Sequence, residues 1–175
     1  IGRNERIAWG VTNVGADVED LYLLEEVEGR GYRYKGRVVP YGVREEVIRV
    51  KGGREEVLKV RETVYGPVIT DALEDPPKTP MALRWVSLDE EDHILMAFLG
   101  VNRAGNWEEF KKALLPYSAP SQNFVYADDR GNIAYFTTGE MPLREDLQAG
   151  NVAGLPPWFI RNGQGGNEWI AQPNP

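Results

Sequence analysis

The chain contains no cysteine, which excludes disulfides, thiolate nucleophiles and cysteine-ligated zinc. Its single histidine, His93, excludes a histidine-rich metal centre. No apolar stretch approaches the roughly 18 residues that a membrane-spanning helix needs, so no membrane partner is expected. No window is strongly basic and the formal net charge is −7, which argues against nucleic acid as a partner. No signal-peptide pattern is expected within these residues. The chain starts at Ile1 and stops at the turn-like Gln172-Pro173-Asn174-Pro175, so both ends read as cut from a longer protein. The compartment of that protein stays open.

What is present suits a packed core. Of 175 residues 42% are hydrophobic, with five Trp, eight Tyr and five Phe. One domain, or one large piece of a bigger one, is expected. Ile7 to Thr12 reads as a buried strand, and Leu21 to Val27 as a second. Gly31 to Val39 reads as a hairpin turning at Gly36-Arg37. Glu46–Val50 and Glu56–Val64 alternate β-branched and polar residues around Gly52-Gly53, the pattern of a hairpin. Gly66 to Ile69 follows as a turn and a short strand. Residues 71–80 carry Pro76, Pro77 and Pro80 and form the best internal breakpoint. Met81 to Val86 and His93 to Val101 read as two more strands, the second almost wholly apolar.

Asn106 to Leu115 is the one principal helix expected: Asn106 and Glu109 are spaced as a capping pair, and Pro116 ends it. Phe124–Ala127 and Ile133–Phe136 flank Asp128 to Asn132 as another hairpin. Residues 140–175 read as an irregular stretch. The fold class is therefore α+β, mostly antiparallel sheet with one principal helix.

Few residues invite chemistry. Asp17-Val18-Glu19-Asp20 places three carboxylates in four positions. It reads either as a solvated acidic turn or as a calcium turn that mixes carboxylates with backbone carbonyls at about 2.3–2.6 Å. The acids at 128–132 are explained by turn chemistry. Glu45-Glu46, Glu55-Glu56 and Glu90-Glu91-Asp92 read as solvated charge rather than the paired carboxylates of glycosidases. Gly163-Gln164-Gly165-Gly166 lacks the Lys-Ser/Thr ending of a phosphate loop. Ser87, Ser118 and Ser121 have no Gly-x-Ser-x-Gly context and only one histidine to pair with, so no hydrolase triad is expected.

A set of motifs adds a resemblance. Gly2 to Asn13 (Gly-Arg-Asn-Glu-Arg-Ile-Ala-Trp-Gly-Val-Thr-Asn) with Asp17 to Tyr22 resembles the penicillin acylase family. So do Glu62 to Val68, Ala82 to Trp85, Asn102 to Trp107 with Phe110, and Gln122 to Asp128 through Gly131-Asn132-Ile133. They follow the family's order and spacing over most of residues 1–145. Gly163 to Trp169 also reads like a family loop.

The resemblance implies part of an N-terminal-nucleophile hydrolase: an αββα core with inserted β-hairpins, within the β chain of a precursor cleaved into α and β chains. It implies hydrolysis of an acyl amide of the penicillin, cephalosporin or acyl-homoserine-lactone type. An N-terminal serine, expected upstream of Ile1, attacks with its own α-amino group as base. One oxyanion donor falls on the backbone N–H of Asn13, and the second, an Asn side chain, is expected beyond Pro175.

By the same resemblance the acyl pocket involves Ile1, Val11, Gly15, Phe98 and Gln122. Ile1 and Gly15 stand where penicillin-G-type members carry aromatics, which leaves a long-chain acyl group open. Calcium ligands fall on Asp17, the Glu19 carbonyl and Asp20, with further ones from the α chain and a loop near Gln148. The implied partners are the α chain, the rest of the β chain and the substrate, with exposed cut edges able to drive homodimerisation. The parent would be periplasmic or extracellular, and the isolated chain inactive. The rival readings are a stand-alone calcium-binding β-rich interaction module and a purely structural assembly surface.

Overall fold

A computed structural model describes residues 1–89, 93–148 and 155–172. In chain order the elements are β1 (Gly2–Arg3), β2 (Ile7–Asn13), β3 (Glu19–Leu23), β4 (Glu26–Val27), β5 (Gly31–Tyr34), β6 (Arg37–Val39), β7 (Gly42–Ile48), β8 (Glu56–Thr63), β9 (Gly66–Pro67), β10 (Met81–Trp85), α1 (Ile94–Arg103), α2 (Trp107–Leu114), β11 (Gln122–Asp128), β12 (Ile133–Thr138), β13 (Leu143–Arg144), α3 (Glu145–Gln148), β14 (Arg161–Asn162) and β15 (Trp169–Ala171). Among the described residues no helix is long and apolar enough to cross a membrane. The chain divides into two compact units. One takes Ile1–Val18, Val86–Leu143 and the chain from Trp169 onward; the other takes Glu19–Trp85 and Arg144–Glu168. The 71–80 segment lies inside the second unit and opens with a 3₁₀ turn at Ile69–Ala72.

The first unit is an antiparallel sheet in the order β1-β2-β11-β12, covered on one face by α1 and α2. Strand alternation decides which side chains meet the helices. Ile7 and Trp9 of β2, Phe124 and Tyr126 of β11 and Phe136 of β12 turn to the helical side. There they pack with Ala97, Val101, Phe110, Leu114 and Tyr117. Phe110 meets Phe124 edge-on at 5.9 Å, a pairing worth about 0.5–1.5 kcal/mol beyond its area burial. Val125, Ile133 and Tyr135 alternate to the other face and are exposed.

The helix α2 begins as its sequence demands. The Asn106 side chain accepts the Glu109 N–H at 3.0 Å, and the Glu109 carboxylate accepts the Gly105 N–H at 2.8 Å. That backbone bond, then the Asn106 side chain, holds the Glu109 carboxyl below the usual range. Two expectations are corrected here. Residues 93–101 are not a strand: Ile94–Arg103 is the helix α1, so the sheet is served by two main helices rather than one. An apolar run this long, without alternation, suits a helix as well as a central strand. Its buried residues, Ala97 and Val101, are four apart, and Leu95 and Met96 stay exposed. The helices touch at Gly100, where a Cβ would lie 2.8 Å from Ala113 Cβ.

The second unit is built from three small sheets. β3 pairs antiparallel with β10 (Leu21 opposite Leu83) and parallel with β14. β4-β5-β6 form a meander, and β7-β8-β9 carry the long hairpin with Val47 opposite Val57. The expected second strand, Leu21 to Val27, is divided between β3 and β4. The turn after β5 falls at Lys35-Gly36, one residue earlier than expected, with φ 47° and 74° as a two-residue hairpin turn requires. The core here is largely tyrosine: Tyr22 stacks on Tyr65 at 3.8 Å, and Tyr34 meets Tyr65 edge-on at 5.9 Å. The Tyr32 hydroxyl accepts the Val64 N–H at 2.9 Å. Tyrosine can fill such a core because its ring packs while its hydroxyl takes a polar partner.

Candidate functional site

The register of β2 against β11 places Asn13 opposite Gln122 and Val11 opposite Phe124. All four side chains turn to the helix-covered side, at the end of the sheet where β2 runs out. The Gln122 carboxamide donates to Asn13 Oδ1 at 2.6 Å, and the Asn123 amide donates to the Asn13 carbonyl at 3.3 Å. The next N–H, of Val14, donates to the Ser121 carbonyl at 3.1 Å. The backbone leaving β2 is therefore held at Asn13 and Val14 by Asn123 and Ser121. Gln122 is buried and Asn13 is exposed, so the pair presents one held side chain and one open one.

Phe98, from α1, closes the side of this corner. Its ring meets Tyr117 edge-on at 5.8 Å and Phe124 at 6.4 Å. Gly15 follows with φ 73° and open space within 4 Å of where a Cβ would stand. Val11, Asn13, Phe98 and Gln122 are thus gathered at one corner, with Gly15 on the loop that leaves it. Ile1 is not with them. It is fully exposed and lies over Gly10, on the Val125 side of the sheet.

Sequence reasoning weighed Ser121 only as a nucleophile and set it aside, yet it sits directly at this corner. It is buried, and among the described residues its hydroxyl has no hydrogen-bond partner. Its Cα, 2.4 Å from where a Cβ on Gly139 would stand, requires glycine there. A lone serine before a strand gave no signal of this.

The acidic turn is resolved into unlike parts. Asp17 and Glu19 are exposed, whereas Asp20 is buried in β3. Its two carboxylate oxygens accept from Arg144 Nε at 2.7 Å and from Arg161 Nε at 3.0 Å. Neither arginine stood out in the sequence. Burial, then the nearby Asp20 charge, pushes the Tyr22 hydroxyl pKa upward, and that hydroxyl donates to the Asn167 carbonyl at 2.8 Å. Among the described residues no group of three or more His, Cys, Asp or Glu side chains could hold a metal ion. With both oxygens of Asp20 on guanidinium groups, the turn as arranged does not fit calcium. Gln148 ends α3, and the loop after it lies outside the described residues, as do Glu90, Glu91 and Asp92.

Against this geometry stand the comparisons with known proteins. The penicillin amidase family model matches residues 1–175. The chain belongs to the penicillin amidase family. An acyl-homoserine lactone acylase QuiP of Pseudomonas fluorescens is 33% identical over 150 residues, 83% of this chain and 18% of that protein. A penicillin G acylase of Escherichia coli is 33% identical over 157 residues, 89% of this chain and again 18% of that protein. The thermostable penicillin G acylase structure from Alcaligenes faecalis matches with a TM-score of 0.78 and 28% identity, over 98% of this chain and 30% of that one. The chain shares with that structure mostly antiparallel sheets and few helices. It spans about 18% of the length of the curated relatives it matches.

Proposed function

We propose that residues 1–175 form one wall of the catalytic site of an acyl-amide hydrolase. The Asn13–Gln122 corner carries this reading. It sets the Asn13 backbone at a strand end, held by β11, in a chain whose relatives bear acylase names. In the proposed reaction an N-terminal serine, on a chain segment outside these residues, attacks the amide carbonyl. Its α-amino group takes the hydroxyl proton and returns it to the departing amine. The Asn13 N–H stabilises the tetrahedral oxyanion, and water then releases the acyl group from the serine. A single such donor is worth roughly 10²–10³ in kcat.

Val11 and Phe98 form the nearby acyl wall, and Gln122 holds Asn13 beside it. Gly15 adds no side chain, which favours a long acyl chain over a benzyl group. The α chain and the rest of the β chain complete the site, in a parent exported to the periplasm or beyond.

The test is to assay the isolated chain and the processed full-length protein on phenylacetyl and long-chain acyl amides. The full-length protein should hydrolyse the long-chain substrate faster, and the isolated chain should hydrolyse neither. Turnover by the isolated chain would sink the reading.

A further inference from the structure

The environment of Asp20 departs from what the family resemblance leads one to expect. The side chains of Asp20 and Arg161 have no exposed surface, and Arg144 is nearly as buried. Arg161 Nη1 also donates to Asp146 Oδ1 at 2.7 Å, and Asp146 Oδ2 accepts the Leu155 N–H at 3.1 Å. Among the described residues two guanidinium groups thus face two carboxylates. A calcium ion at about 2.3–2.6 Å from an Asp20 oxygen would stand beside a guanidinium already bonded there. In a buried setting two like charges so close repel strongly. Asp20, in β3, is distant in sequence from the other three: Arg144 ends β13, Asp146 lies in α3 and Arg161 in β14.

We propose that Arg144 and Arg161 supply, from protein, the positive charge that this acidic turn would otherwise take from calcium. The cluster is a metal-independent clasp that ties Arg144, Asp146 and Arg161 to β3. Arginine suits the task because its planar fork holds two carboxylates at once and never loses its charge.

The test uses the processed full-length protein and does not depend on its activity. The protein is stripped with EDTA, and melting midpoints are taken with and without added calcium, for the parent and for Asp17→Asn. The expected result is an equal calcium response in both, whether that response is zero or comes from elsewhere in the protein. A calcium-dependent rise that disappears in Asp17→Asn overturns the proposal. In a second arm Arg161→Met should lower the midpoint by several degrees, because it leaves buried Asp20 and half-buried Asp146 with one cation fewer. An unchanged midpoint in Arg161→Met overturns the clasp. Should that variant fail to fold, the calcium arm on the parent and Asp17→Asn still decides.

Discussion

The Gln122 carboxamide donates to the side-chain oxygen of Asn13 at 2.6 Å, across the last rung of the β2–β11 ladder. If Asn13 offers its N–H to an oxyanion, Gln122 acts through Asn13 as a positioning residue. A hydrogen bond of this kind contributes about 0.5–1.5 kcal/mol net. Gln122→Ala in the full-length enzyme should therefore lower kcat about two- to tenfold with little change in KM. Gln122→Glu should be no better, since a carboxylate has no proton to donate to Asn13. A change confined to KM would instead make Gln122 a pocket wall.

At Gly100 two effects of opposite sign compete. Gly100→Ala raises helix propensity in α1 by about 1 kcal/mol. It also sets a methyl group 2.8 Å from Ala113 Cβ, well inside contact distance. Overpacking of this kind costs about 1–3 kcal/mol. The net expectation is a loss of up to about 2 kcal/mol. Pairing Gly100→Ala with Ala113→Gly should recover part of it in a double-mutant cycle read by denaturant unfolding.

Much of the fold could be read from local pattern because local physics decides it. β2, the β7–β8 and β11–β12 hairpins and α2 each carry their own signal: alternation, a glycine turn or a cap. α1 was legible as an element but not as a helix, since Ile94 to Leu99 is apolar in every position and offers no period to read. The candidate corner was legible through family motifs, yet the hydrogen bond that fixes it joins residues 109 positions apart. The arginines that hold Asp20 lie 124 and 141 positions away, in a stretch with no periodicity. Such pairings follow from how the chain returns on itself, which neither propensity nor spacing encodes.

The cap of α2 should be measurable by itself. Asn106→Ala removes the acceptor for the Glu109 N–H and should cost about 1 kcal/mol. Asn106→Asp should cost little, because aspartate caps as well as asparagine and places negative charge at the helix N-terminus. Thermal melts of the two variants beside the parent separate these outcomes. Equal losses would show that packing against the sheet, not the cap, holds the helix start.

Glu168 sets a pH dependence. Burial alone would raise its carboxyl, but the hydrogen bonds with Tyr34, then with the Glu145 side chain, then with the Lys35 ammonium at 3.1 Å outweigh it and hold the group at about 2 rather than 4.5. A carboxyl whose pKa is depressed on folding contributes stability that is present above its unfolded value and is lost as pH falls through the folded one. The window here therefore runs from about 4.5 down to about 2. The Gly166 N–H, which donates to Glu168 Oε2 at 2.7 Å, is a local reporter. Its hydrogen-exchange protection, corrected for intrinsic rate, should be steady above 4.5 and decline toward 2. Glu168→Gln should lower that protection at neutral pH and flatten its pH dependence, since an amide keeps an acceptor oxygen but cannot pair with Lys35. Protection in the parent that stayed constant down to pH 2 would mean that the loop is held by the Tyr22 bond to the Asn167 carbonyl instead.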